Sequence, residues 1–131
     1  VRKTVIDQVG RLNESYFMYA EDMEWCARIR NAGHNIEVLP EIEVIHHHAA
    51  SSRQHFSRML LESACNISRF VYRYEGPRHA KAAFIVHLLG MALRIPISLI
   101  RKPELTGAYW QGLRDTLALL RDLDVIFQDT Q

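Results

Sequence analysis

A chain of 131 residues, 48% hydrophobic and 24% charged, is long enough for one core and short for two. Its formal net charge of +1 gives no bulk attraction to nucleic acid, and no basic stretch leading into an apolar run opens it as a secretory signal would. Cys26 and Cys65 have no metal-type spacing and fall on the apolar sides of helical patterns, so free thiols in a reducing compartment are expected.

The opening Val1-Arg2-Lys3-Thr4-Val5-Ile6 reads as a strand or its approach, met in mid-course, so the chain is expected to be a fragment or C-terminal part of a longer protein. An apolar-aromatic run, Phe17-Met18-Tyr19-Ala20, leads into Glu21-Asp22 and then into an amphipathic helix ending at Asn31. Gly33 stands where a helix-terminating left-handed residue belongs. Residues 35–40 and 41–45 alternate polar and apolar, the period of two short strands parted by Pro40. His46-His47-His48 follow, and only His46 keeps the phase of Val44. An α/β unit over residues 1–52 is the expectation.

From residue 53 onward the texture is helical. Phe56, Met59, Leu60, Ala64, Ile67 and Val71 recur every three or four positions, and Glu75-Gly76-Pro77 ends that helix. A second helix is expected over 78–101 and a third over 105–122. The second is apolar from Phe84 to Ile100 except for His87, Arg94 and Ser98, and Pro96 interrupts it. Two readings stay open for it: a helix packed on its neighbours, or one in a membrane interface with Arg78, Lys81, Arg94, Arg101 and Lys102 facing anionic lipid.

Chemistry concentrates in the first half. Acids at a helix start can cap backbone N–H groups, act as a general base, or do both. Strand ends and helix N-termini open onto one crevice in an α/β layer, so the Glu21-Asp22 pair and a strand-end histidine can share a cleft. A neutral imidazole there suits a divalent cation held mainly by carboxylates, and His46 is the candidate.

Taken together, Val9-Gly10, Asn13-Glu14, Tyr16 to Tyr19, Glu21-Asp22, Glu24, Cys26, Arg28, Gly33, Pro40, Val44-Ile45-His46 and Ser51-Ser52 resemble glycosyltransferase family 2. The nearest subset is the rhamnosyltransferase-like enzymes of bacterial cell-surface polysaccharide assembly. The likeness covers residues 1 to about 55; beyond that only the helical, basic-apolar texture is shared. It implies that 1–52 close a GT-A catalytic domain and that 53–131 form a helical extension. By the same resemblance, Asp22 is the catalytic base of an inverting sugar transfer, with Glu21 positioning base or acceptor. His46 helps hold Mg²⁺ or Mn²⁺ at the leaving diphosphate. Tyr19 and Trp25 offer a platform for a sugar ring, and Arg28 either reaches a phosphate or pairs with a nearby acid.

The implied partners are a nucleotide-sugar donor and a saccharide or lipid-linked acceptor, with peripheral membrane contact through 78–102. The implied location is cytoplasmic, at the inner face of the cell membrane. Two departures from the family pattern stand out: Arg11-Leu12 where Gly-Phe is usual, and Glu24 where Asp is usual. The nucleotide-binding half and its Asp-x-Asp motif are absent from these residues, so little activity is expected of the chain alone. The competing expectation is a non-catalytic helical module that docks on membrane or on a partner. A structural zinc site at the histidines is weak, because neither cysteine has a neighbouring ligand.

Overall fold

A computed structural model describes residues 1–45 and 55–128. Among them lie six α-helices: α1 (Lys3–Val9), α2 (Glu21–Asn31), α3 (Phe56–Glu75), α4 (Pro77–Arg101), α5 (Pro103–Ala118) and α6 (Leu123–Gln128). A 3₁₀ turn, Leu119–Arg121, joins the last two.

The α/β expectation is overturned: the described residues contain no strand. Two misreadings have separate causes. Val5 and Val9 stand four apart, so a helix puts both on one face, and α1 packs against α2 with Val5 buried. Their β-branching favours strands only where a pleated neighbour exists to pack on. Residues 34–45 do alternate, yet among the described residues no strand pairs with them. A lone strand leaves its ladder groups unpaired and is not stable. The segment has one turn bond, Ile42 N–H to Leu39 O at 3.2 Å, and it leaves Val38 90% exposed.

The helical expectations from 53 onward correspond to α3, α4 and α5, which pack on one another, with α6 closing one side against α3. The core joins Ala64 and Cys65 of α3, Ala80, Phe84, Leu88 and Met91 of α4, and Leu123, Ile126 and Phe127 of α6. The α3–α4 joint is a single glycine: Gly76 has φ +88°, and Pro77 follows as the first residue of α4, where its missing N–H costs nothing. Gly112 lets α5 approach α3, since a Cβ there would lie 2.9 Å from Leu60 Cδ1 and 3.4 Å from the Ser57 carbonyl. Tyr72 stacks on Phe127 with ring centroids 5.3 Å apart, joining α3 to α6.

The α2 terminus agrees with its sequence signal. Gly33 has φ +85°, its N–H donates to Arg30 O, and the His34 N–H donates to Ile29 O. These two bonds form a Schellman close that satisfies orphan carbonyls.

Candidate functional site

The acid pair heads α2, and the backbone before it is strained. Tyr19 and Ala20 both adopt left-handed conformations, φ +67° and +68°, although neither is glycine. Such residues cost on the order of 1–2 kcal/mol each and persist only where their surroundings hold them. Three groups do so here. Ala20 is buried, and its carbonyl accepts the Glu24 N–H at 2.9 Å. The Tyr16 ring is buried behind the turn. From α3, the fully buried Asn66 donates through Nδ2 to the Met18 carbonyl at 2.7 Å.

Asn66 is itself held. Its Oδ1 accepts Arg69 Nη1 at 3.1 Å, and Arg69 Nε donates to the Ile126 carbonyl at 2.8 Å. A line of hydrogen bonds thus runs from α6 through α3 to the turn that presents the acids.

Beneath the turn lies Glu24, fully buried. Its two carboxylate oxygens accept Arg28 Nε, each at 2.9 Å, and Arg73 Nη1 of α3 stands 3.9 Å away. The remaining Arg28 nitrogens reach back to the loop after α1, Nη1 to the Val9 carbonyl and Nη2 to the Arg11 carbonyl. Trp25 Nε1 donates to the Gly10 carbonyl at 2.9 Å. Burial first, and the Glu24 charge second, raise the phenols of Tyr16 and Tyr74 above their ordinary value.

The site residues named from sequence therefore divide. Tyr19, Glu21 and Asp22 come together at the head of α2. Asp22 is exposed; its Oδ1 accepts the Met23 N–H at 2.8 Å, while Oδ2 takes no protein donor among the described residues. Glu21 Oε2 is buried without a hydrogen-bond partner. Exposed Phe17 completes the rim, with the Arg58 guanidinium 5.2 Å from its ring centroid. Trp25 and Arg28 lie further along α2, and their polar groups tie down residues 9–11; Arg28 pairs with the acid one turn back on its own helix. His46 and Ser51-Ser52 lie outside the described residues, among which no group of three metal-capable side chains exists.

Sequence reading passed over Glu24 as a buried anchor, and Asn66, Arg69 and Arg73 altogether. One signal was present: 66, 69 and 73 share a face of α3, a polar stripe beside the apolar one.

Over a short stretch the chain is distantly similar to sugar transferases. The N-acetylglucosaminyl-diphospho-decaprenol L-rhamnosyltransferase of Mycobacterium tuberculosis is 42% identical over 52 residues, 40% of this chain and 17% of that protein. The low-salt glycan biosynthesis hexosyltransferase Agl10 of Haloferax volcanii is 41% identical over 46 residues, 35% of this chain and 15% of that protein. The dTDP-rhamnosyl transferase RfbF of Shigella flexneri is 37% identical over 46 residues, 35% of this chain and 16% of that protein. The matched stretch is thus about one-sixth of each relative's length. No family model matches the chain, and no solved structure does.

Proposed function

We propose that this chain is part of an inverting sugar transferase and carries its acceptor-side base, Asp22. The observation behind this reading is the placement of Asp22: exposed, heading α2, one oxygen oriented by the Met23 N–H and the other without a protein donor. That carboxylate takes the proton of an acceptor hydroxyl as the hydroxyl oxygen attacks the anomeric carbon. The new C–O bond forms while the bond from that carbon to the donor's phosphate oxygen breaks, and the nucleoside diphosphate leaves with the electron pair. Glu21, half-buried beside Asp22, positions it or the acceptor. Tyr19 and Phe17 provide an aromatic rim for a sugar ring.

The donor in this reading is a nucleotide sugar and the acceptor a lipid-linked saccharide, as the names of the relatives indicate for those proteins. A soluble donor meeting a lipid-linked acceptor places the reaction at the cytoplasmic face of the membrane. A Mg²⁺ or Mn²⁺ at the leaving diphosphate would draw its ligands from outside the described residues, His46 among them, since the described ones do not form a cation site.

The test is Asp22→Asn in the enzyme that contains this sequence, assayed with dTDP-rhamnose and a polyprenyl-diphosphate-linked sugar. Turnover falls by about 10²–10⁴ while donor binding is kept. Turnover within a few-fold of the parent would refute Asp22 as the base.

A further inference from the structure

The longest helix leaves most of its apolar surface uncovered. Along α4, Ala80, Phe84, Leu88, Met91 and Ser98 are buried against the bundle. On the opposite side Ile85, Leu89, Leu93, Ile97 and Ile100 form a continuous exposed stripe at helical spacing. Ile100 is 87% exposed, and together the stripe makes a contiguous apolar patch of the kind that marks an interaction surface. The helix is long and apolar enough to cross a membrane by length and composition, yet its other side is committed to α3 and α5.

Charge borders this stripe with one sign. α4 contains no Asp or Glu. Arg94 and Arg101 stand on its α5 side, and with Lys102 they surround a groove of about 160 Å³ that is also lined by Ile97 and Leu105. None of these three cations has an ion-pair partner among the described residues. On the far flank Lys81 pairs with Asp124 at 3.4 Å.

We propose that this face of α4 lies on an anionic phospholipid surface, the stripe entering the headgroup–acyl boundary and the Arg94–Arg101–Lys102 groove receiving lipid phosphates. Two arguments select lipid. A bilayer accepts an apolar stripe bordered by cations that reach up to the phosphates, the pattern of an interfacial helix. A second copy docking by the same face brings no acidic side chain on its α4 to pair with these cations, whereas lipid phosphates do. The packed side of α4 and the cost of an Arg94 charge within the hydrocarbon favour lying on the surface over spanning.

The test is co-sedimentation of the whole chain with vesicles of phosphatidylcholine containing phosphatidylglycerol, and with phosphatidylcholine alone. The chain sediments with the anionic vesicles, and about 0.5 M salt weakens this by shortening the screening length. Arg94→Gln with Arg101→Gln lowers the partition roughly fivefold per cation, about 25-fold together. Leu89→Glu with Leu93→Glu, both at exposed positions, lowers it more than tenfold while the helical circular-dichroism signal is retained. Equal binding to neutral and anionic vesicles, insensitivity to salt, or a chain that sediments as a dimer and ignores vesicles would each overturn the proposal. The assay contains no sugar, so its failure leaves the transferase reading untouched, and a failed Asp22 test leaves this one untouched.

Discussion

Glu24→Ala is the sharpest probe of how the acid-bearing helix is held. The side chain is fully buried, and both its oxygens face Arg28 Nε at 2.9 Å. Truncation removes one charge-assisted hydrogen bond, worth about 1.5–3 kcal/mol, together with about 0.8 kcal/mol for the one buried methylene that alanine lacks. Losing one member of a fully buried pair costs about 3–5 kcal/mol because the other charge is stranded. Arg28 is not fully stranded: its side chain is 23% exposed, and Nη1 and Nη2 keep the Val9 and Arg11 carbonyls. The expected loss is therefore about 3 kcal/mol, the lower end of that range. Glu24→Gln preserves shape and one acceptor and loses about 1 kcal/mol. Arg73→Ala loses less than about 1 kcal/mol, since that guanidinium stands 3.9 Å away and is 39% exposed. Urea unfolding followed by tryptophan fluorescence reads all three, with Trp25 on the helix in question. A Glu24→Ala loss below about 1 kcal/mol, or a Gln variant as unstable as the Ala one, would refute the reasoning.

Two further outcomes follow from the same interior. Asn66→Ala orphans the Met18 carbonyl and one Arg69 donor, so it destabilises the chain by about 2–3 kcal/mol and speeds amide exchange in residues 17–21; unchanged exchange there would show that the α3 bond does not brace the turn. Burial pushes the Cys65 thiol up from its ordinary value near 9 to about 11, so the unfolded chain ionises first as the pH rises. Stability is then full below about pH 9 and declines by on the order of 1–2 kcal/mol toward pH 11, with the raised Tyr16 and Tyr74 phenols acting in the same direction. Urea midpoints across that window check this, and a Cys65→Ala variant with an equally steep decline would exclude the thiol as a contributor.

What could be read without coordinates was what local chemistry decides. Gly33, Gly76 and Pro77 mark helix ends because a positive φ or a missing N–H is a property of one residue. The three-to-four spacing from Phe56 onward needs no partner to be visible. Residues 35–45 misled because alternation encodes which side chains share a face, while a strand exists only when another backbone pairs with it. Val1–Ile6 misled by composition, where the i, i+4 spacing of Val5 and Val9 was the better guide. At the site, Asp22 and Glu21 stand out as an adjacent acid pair at a helix start in any reading. Asn66 acquires its role only from Met18, far back along the chain, while Glu24 pairs with Arg28 one turn on and meets a second cation, Arg73, only across from α3.

The hydrogen-bond line Ile126–Arg69–Asn66–Met18 also sets an order of assembly. About a hundred residues of synthesis separate Met18 from Ile126, a delay of roughly ten seconds at ordinary ribosomal speed. During that interval α2 can form, but Arg69 lacks the carbonyl that aims it, so the Asn66 brace of the left-handed pair at Tyr19–Ala20 is without its own support. The full brace of the turn that presents Asp22 is thus completed late in synthesis, after the helix that follows it in sequence. A nascent chain halted within α5 would carry the acid pair behind a turn whose brace from α3 stays incomplete until Ile126 of α6 has been added.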